Sequence, residues 1–224
     1  AIGLAGMLTC SMVHIQIHVP LHRRTEVIGS LGTSGFVGMV LGTQGGDWIF
    51  SSMATGRPQF LALFGTAASM AVFYLIIVLI LTRNDQHDRP RDTPAAHRLL
   101  FRYWPGPVMF VAIMLGVGFT VTTVFLTRFA TAEGLGGIGT FFTGYSVSAF
   151  VFRLASRRWS RTYGRHLMIV VGLVGQACGL LSLPHVAANW QFLIPAFGCG
   201  LGHALLFPAV VSLGAGAFPQ ELRG

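Results

Sequence analysis

Ionisable and polar side chains inside long apolar stretches are the residues of this sequence best placed to do chemistry. His14 and His203 lie deep in such stretches, where charged groups are costly to bury and usually face a cavity or a proton path. Imidazole changes charge near neutral pH, so either histidine is a candidate acceptor for a coupled proton. A neutral imidazole bonded to a carbonyl or hydroxyl group explains the same positions without proton transfer. The other polar candidates for a solute or proton pathway are Gln16, Thr123, Tyr145 and Gln176.

A serine in the segment Gly32-Thr-Ser-Gly35 offers a second kind of chemistry, because Gly-x-Ser-Gly surrounds the nucleophile of rhomboid-type intramembrane proteases. That mechanism needs the serine hydroxyl and a histidine base to touch. Ser34 and His203 are five apolar stretches apart, whereas those proteases take the pair from helices two apart. Glycine-rich stretches produce the pattern by chance, so we expect no enzyme.

The cysteines do not indicate a metal centre or a disulfide framework. Cys10, Cys178 and Cys199 are widely spaced, odd in number and placed singly in apolar stretches. We interpret them as small packing residues, and we predict neither a metal nor another cofactor.

The elements that must position these side chains are apolar stretches of about 18 residues or more, each long enough to cross a hydrocarbon layer of roughly 30 Å. The chain is 53% apolar and only 10% charged, against roughly 25% charged in an average soluble domain. A soluble protein is therefore excluded, and the sequence predicts an all-α polytopic transmembrane helix bundle. The seven predicted spans are 1–19, 25–46, 60–82, 107–127, 137–155, 166–184 and 191–213.

Orientation follows from arginine, because the chain contains no lysine and positive charge marks the cytoplasmic side. All but two of the 15 basic residues fall on one side of the predicted spans, the exceptions being Arg57 and Arg128. This pattern of membrane topology accounts for the net charge of +8 without a nucleic-acid partner. We therefore predict that the charged linker 83–106 and Gly224 are cytoplasmic. Ala1 opens inside an apolar stretch and Gly224 closes a loop-like turn, so we interpret both ends as cuts in a longer protein.

A series of glycines in the second span carries the first resemblance to a known family. Gly29, Gly38, Gly42 and Gly46 recur with a spacing that resembles the glycine motif in the fifth helix of major facilitator proteins, strongest in the drug–proton antiporters. Thr43 stands where that motif has a proline, so the expected kink is missing. Glycines on one helix face let a neighbouring helix approach closely. The resemblance implies a conformational glycine face.

The loop after the fifth span is similar to the loop between helices eight and nine of the same family. Gly164 and Arg165 fit the end of its motif, and Arg153 resembles the arginine that often ends helix eight. Arg161 occupies the place of an aspartate, which removes support for a charge relay. The resemblance implies a cytoplasmic gate loop, although positive-inside anchoring explains the arginines equally well.

The last span and the end of the chain resemble helix ten and the turn into helix eleven. The segment 197–208 is glycine-rich and ends in Phe-Pro, and Pro219 to Gly224 follows a Pro-x-x-x-Arg-Gly pattern. The chain would then cover helices four to ten of twelve. Residues 1–82 would close the N-terminal six-helix bundle, 83–106 would be the linker, and 107–224 would open the C-terminal bundle.

The resemblance implies a secondary transporter that moves a small organic solute by alternating access, with proton-coupled efflux as the favoured variant. A uniporter or importer of the same family is the alternative. It implies a monomer in the lipid bilayer, in a bacterial inner membrane, with a small molecule and protons as partners. A stand-alone seven-helix receptor also stays open on topology. A retinal-binding one is excluded, because no lysine is present to form a Schiff base.

Overall fold

The computed structural model describes residues 11, 19–20, 23–83 and 95–219. Nearly all of the first predicted span and residues 84–94 of the predicted linker lie outside these ranges. Within them every regular element is helical, which confirms the predicted all-α fold class. The α-helices are α1 Arg24–Ser52, α2 Arg57–Thr82, α3 Ala96–Arg102, α4 Pro107–Ala132, α5 Gly139–Ala155, α6 Trp159–Thr162, α7 Gly164–Ser182 and α8 Leu193–Gly216, with 3-10 turns at Leu183–His185 and Asn189–Phe192.

Six of the predicted spans correspond to α1, α2, α4, α5, α7 and α8, with different ends. The α1 helix continues to Ser52, six residues past its predicted end at 46, because Trp48 and Phe50 extend the apolar stretch. The hydroxyls of Ser51 and Ser52 donate to the carbonyl of Trp48 at 3.1 and 2.8 Å. The Ser52 hydroxyl also reaches the Ile49 carbonyl at 3.1 Å, which is one of the last four carbonyls of the helix and so lacks a helical partner.

The short helix α3 lies inside the segment predicted as a linker, and the sequence reading missed it. Its alanine, leucine and arginine residues have high helix propensity. The backbone N–H of Tyr103 donates to the Leu99 carbonyl and closes the last turn at 2.9 Å. Pro105 follows and disfavours a helical Trp104, so the helix cannot continue.

Four of the described helical stretches are long and apolar enough to cross a membrane, by length and composition. They are Arg57–Ile80, Pro107–Ala132, Gly164–His185 and Asn189–Gly214, with mean hydropathy from 1.7 to 2.4. Large apolar side chains on α2, such as Phe64, Met70 and Phe73, are exposed. A surface of this kind is suited to lipid rather than water.

The described residues form two compact units, one within Ala1–Val40 and Ala95–Gly224 and the other within Leu41–Pro94. In the second unit the end of α1 packs on the start of α2. The rings of Phe50 and Phe60 lie 5.4 Å apart, and the Gln59 amide donates to the Phe50 carbonyl at 2.8 Å. The division of the chain at 83–106 into two six-helix bundles stays a prediction.

The most extensive helix pairing in the larger unit joins α7 to α8. A seam of glycines holds it together: Gly172, Gly175 and Gly179 on α7 with Gly198 and Gly202 on α8. A Cβ added to Gly198 would lie 2.9 Å from the Gly175 carbonyl oxygen and 2.9 Å from the Gly179 Cα. Two backbones can approach this closely only where neither carries a side chain, as in tightly packed membrane helices.

The second extensive pairing joins α5 to α8 and fixes the backbone around Tyr145. A Cβ at Gly200 would lie 2.7 Å from the Tyr145 carbonyl oxygen and 2.8 Å from Ser148 Cβ. The Ser148 hydroxyl donates to the Phe197 carbonyl of α8 at 3.1 Å. Because the two helices are closely packed at Gly200, Tyr145 has a defined position relative to α8.

Asn189 ties the loop between α4 and α5 to the segment that leads into α8. Its side-chain nitrogen donates to the carbonyls of Leu135 and Gly137 at 2.9 and 2.8 Å, and its oxygen accepts a hydrogen bond from the Thr140 hydroxyl. These three residues and Asn189 are called the Asn189 clamp below, and it joins the start of α5 to the turn that leads into α8.

We expect Asn189→Ala to lower the free energy of unfolding by about 1–3 kcal/mol, because all three hydrogen bonds are lost. Asn189→Asp keeps the acceptor for Thr140 but loses both donors, so it should destabilise as well. Thermal unfolding of the intact purified protein measures both effects. An Asn189→Ala protein as stable as the unmodified one would show that the clamp contributes nothing.

Candidate functional site

Two of the predicted pathway residues, Tyr145 on α5 and His203 on α8, are in direct contact. The Tyr145 hydroxyl and Nδ1 of His203 form a hydrogen bond, and the two rings meet edge-on with centroids 5.8 Å apart. Tyr145 is 4% exposed. The pair therefore joins a hydroxyl to an imidazole inside the helix bundle.

Aromatic rings from three helices surround His203. Phe36 of α1 and Phe119 of α4 meet the imidazole edge-on at centroid distances of 5.3 and 5.9 Å. Phe207, one turn further along α8, lies at 5.8 Å. We call His203, Tyr145 and these three phenylalanines the aromatic enclosure. It places one ionisable group where α1, α4, α5 and α8 meet.

Arg153, near the end of α5, points into the same region. Its side chain is 4% exposed, and none of its three guanidinium nitrogens has a hydrogen-bond partner within the described part of the chain. The guanidinium carbon lies 5.9 Å from the centroid of the Phe36 ring, a cation–π distance. The arginine and His203 thus contact the same ring of the aromatic enclosure.

Glycines on α1 make room for this arginine. A Cβ at Gly29 would lie 3.4 Å from Arg153 Cδ, and a Cβ at Gly32 would lie 3.4 Å from one terminal nitrogen of the guanidinium. The first turns of α1 therefore present backbone rather than side chains to Arg153. An alanine methyl group at either position would be in van der Waals contact with the arginine.

The other predicted pathway residues lie elsewhere. The Thr123 hydroxyl donates to the Phe119 carbonyl of its own helix at 2.9 Å. Gln176 sits between Gly118 of α4 and Gly202 of α8, each of which leaves space for its amide. It borders an apolar groove of about 630 Å³. His14 and Gln16 lie outside the described residues.

The predicted glycine face divides into two kinds of position. Gly29 lies against Arg153, whereas nothing in the described chain lies within 4 Å of a Cβ at Gly38 or Gly42. A Cβ at Gly46 would touch only Leu63, at 3.5 Å. A role of this face in conformational change stays a prediction.

The predicted gate loop also divides. Gly164 has a φ of 82°, in the left-handed region that favours glycine, and it begins α7. Arg165 is half-buried, and the side chain of Arg161 lies outside the description. A basic pocket of about 1060 Å³ opens beside the loop. Arg23, Arg157, Arg158, Trp159 and Tyr163 are among the residues that line it.

Sequence reasoning placed Arg153 with this loop, but the structure buries its guanidinium in the bundle. The sequence contains a pattern that could have indicated this burial. Tyr145, Ala149 and Arg153 follow one another at intervals of four residues and so share one face of α5. All three are buried. The enclosing residues Phe36, Phe119 and Phe207 were not predicted, since nothing in a lone phenylalanine distinguishes an interior ring from one against lipid.

The serine–histidine pair of a protease is not formed. Ser34 is exposed and its hydroxyl donates to the Leu31 carbonyl of its own helix at 2.6 Å. His203 is bonded to Tyr145 instead. The two residues therefore do not act as a nucleophile and its base in this structure.

No solved structure matches the chain. The family model described as Major Facilitator Superfamily matches residues 1–224. Together with the membrane-crossing helices, this match confirms the resemblance seen in the glycine series and the arginine loop, and the chain is part of an integral membrane protein that belongs to the Major Facilitator Superfamily of secondary transporters.

Proposed function

We propose that the intact protein exports a small organic solute in exchange for protons, by alternating access. Membership of the family gives secondary transport; the direction, the coupling ion and the solute class are the proposal. The observation that carries it is the position of His203, an ionisable group at the meeting point of four helices with a hydroxyl partner. Histidine is the side chain that most readily gains and loses a proton near neutral pH.

The direction of the hydrogen bond between Tyr145 and His203 depends on whether the imidazole is protonated. When Nδ1 of a neutral imidazole accepts, the tyrosine O–H donates to it. When the imidazole is protonated, Nδ1 donates and the tyrosine oxygen must accept. Protonation therefore reverses the direction of the bond between α5 and α8 and places a second positive charge beside the Phe36 ring that Arg153 already contacts. Repulsion between the two cations favours a different arrangement of the helices.

Export rather than import is the proposed direction because the glycine series on α1 resembles that of the drug–proton antiporters, although Thr43 in place of the motif's proline weakens this inference. Nothing described lies within 4 Å of a Cβ at Gly38 or Gly42, which leaves space for another helix to approach. In alternating access the two halves of such a transporter rock about a central site. Uniport or import within the same family is the second candidate, since Thr43 replaces the motif's proline.

We further propose that the arginine-rich end of the bundle faces the cytoplasm of a bacterial cell and that the protein acts as a monomer. The basic pocket at Arg23, Arg157 and Arg158 supports this orientation. Trp159 and Tyr163 meet edge-on there at 6.1 Å. Tryptophan and tyrosine are common at both membrane–water interfaces, and an excess of arginine marks the cytoplasmic one.

The coupling is tested in everted membrane vesicles that contain the intact protein and are acidified inside by respiration. Addition of an exported solute should release protons, seen as recovery of quenched acridine orange fluorescence, and a panel of small organic solutes identifies the substrate. We expect recovery to vanish in His203→Asn, because the amide keeps a polar group near Tyr145 but does not titrate.

His185→Asn is the matched control, because His185 is exposed on a 3-10 turn and bonds only the Leu181 carbonyl among the described residues. It should behave as the unmodified protein. Solute that still accumulates after a protonophore has collapsed the gradient would contradict proton coupling and favour the uniporter.

A further inference from the structure

The strongest unexplained feature of the molecule is the Arg153 guanidinium, buried with three nitrogens that have no acceptor in the described chain. A guanidinium keeps its positive charge in proteins. Burying a charge without a partner is among the least favourable arrangements in a folded protein. A cation held in this way in the native state points to an anion that binds there in the working protein.

The chain itself offers few carboxylates for this role. Its seven acidic residues are Glu26, Asp47, Asp85, Asp88, Asp92, Glu133 and Glu221, and none lies in α5 or α8. On α1, Asp47 follows Gly29 by 18 residues, which is about 27 Å along a helix. Only Glu26, three residues before Gly29, is close in sequence to the arginine's surroundings, and it is tested directly below.

The surroundings of the guanidinium fit an organic anion. Phe36 covers one face, and Gly29 and Gly32 of α1 bring backbone without side chains to the other parts of the arginine. Phe207 is also adjacent, since its ring carbon would lie 3.7 Å from a Cβ at Gly32. A planar guanidinium binds carboxylate or phosphate oxygens with two parallel hydrogen bonds, and the aromatic rings suit an apolar portion of the same molecule.

We propose that Arg153 binds the anionic group of the transported solute, so that the substrate class is small organic anions that carry a carboxylate or a phosphate. The inference rests on the proposed function only in taking this anion to be the solute. The buried guanidinium corresponds to the closed site of one conformation. The solute enters when α1 separates from α5, and its anionic group then lies between Gly32 and Arg153, in the space that a methyl group at Gly32 would narrow.

Binding is tested on the intact protein in lipid-free detergent micelles, with benzoate as the probe and benzamide as its neutral counterpart. Thermal unfolding midpoints at increasing probe concentration give the affinity of each. We expect benzoate to bind at least about tenfold more tightly than benzamide, because a charge-assisted pair is lost in the neutral probe. Arg153→Gln should reduce benzoate affinity to the benzamide level, and Arg153→Lys should reduce it less. Equal affinities for the two probes, or full benzoate affinity in Arg153→Gln, would overturn the proposal.

A second pair of variants keeps the positive charge of Arg153 and changes only the space between α1 and the guanidinium. Gly32→Ala places a methyl group 3.4 Å from the guanidinium nitrogen, whereas Gly35→Ala on the same helix meets nothing within 4 Å. We expect Gly32→Ala to weaken benzoate binding several-fold and Gly35→Ala to leave it unchanged. Weakening by both to the same extent would contradict a site at this position. Arg157→Gln, an exposed arginine four residues further on, controls for loss of surface charge and should bind benzoate normally.

The role of Glu26 decides between a solute and an internal partner. Under the proposal, Glu26→Gln leaves benzoate affinity unchanged, and its effect on the unfolding midpoint adds to that of Arg153→Gln. Strong non-additivity between the two substitutions would show an internal ion pair and overturn the proposal. All of these measurements are independent of proton gradients, so failure of proton coupling and failure of the anion site give different results.

Discussion

Replacing Gly179 by alanine is expected to remove most of the folded protein, because the added Cβ meets backbone rather than a movable side chain. It would lie 2.6 Å from the Cys199 nitrogen, 2.7 Å from its sulfur and 2.9 Å from the Pro195 carbonyl oxygen. Overpacking of a tight interior costs about 1–3 kcal/mol where side chains can shift. Here two helix backbones must separate, so we expect a loss at the upper end of that range, near 3 kcal/mol.

The measurement is the thermal unfolding midpoint and the monodisperse fraction of the intact protein after extraction into detergent. Gly116→Ala on α4 is the matched control, because nothing lies within 4 Å of a Cβ at that position. Alanine is favoured over glycine in a helix by about 1 kcal/mol, so this variant should be unchanged or more stable. Similar behaviour of the two variants would show that the glycine seam does not hold α7 against α8.

Replacing Arg153 by methionine is expected to change stability in the opposite direction. If the guanidinium has no partner in the absence of solute, an apolar side chain of similar length removes a buried charge and raises the free energy of unfolding by about 1–4 kcal/mol. Benzoate binding should be lost in the same variant. Gain of stability together with loss of binding is characteristic of a residue retained for function.

The sign of this effect is the informative quantity. An arginine that is paired in the resting protein would leave an uncompensated partner behind, and Arg153→Met would then destabilise by about 3–5 kcal/mol. Arg158→Met, at an exposed arginine of the loop that follows α5, should lie within about 0.5 kcal/mol of the unmodified protein. Both variants are compared by thermal unfolding in the same detergent without added solute.

The helices themselves could be predicted because a membrane span is one continuous stretch of apolar residues and can be recognised without knowledge of the tertiary structure. The length and apolarity of the stretches located six helices: α1, α2, α4, α5, α7 and α8. The distribution of arginine predicted which loops face the cytoplasm. The helix α3 was missed because seven residues carry little periodic signal, and its formation depends on propensity and on the proline that follows. The predicted first span lies outside the described residues and stays a prediction.

The candidate site could be predicted only in part, because sequence does not reveal which helix faces meet. Tyr145 and His203 were both selected as polar interior residues, but their contact spans 58 positions in the chain. The dense glycines of α1 drew attention, yet much closer backbone contacts are made at Gly179 on α7 and at Gly198 and Gly200 on α8. Gly175 and Gly179, and likewise Gly198 and Gly202, are four apart, a spacing that indicates helix contact but not the partner.

The Asn189 clamp has a mechanical consequence. It fastens α5 and α8 at their first residues, and the close contacts at Gly144 and Gly200 follow directly behind it. At the far end of α5, Arg153 meets α1 through glycine backbone and a single ring. If α5 pivots at the clamp, a tilt of about 10° over its 17 residues, or about 26 Å, moves the far end by roughly 4 Å. That displacement exceeds the diameter of a water molecule, so a small pivot at the clamp would be enough to break the contacts that Arg153 makes with α1.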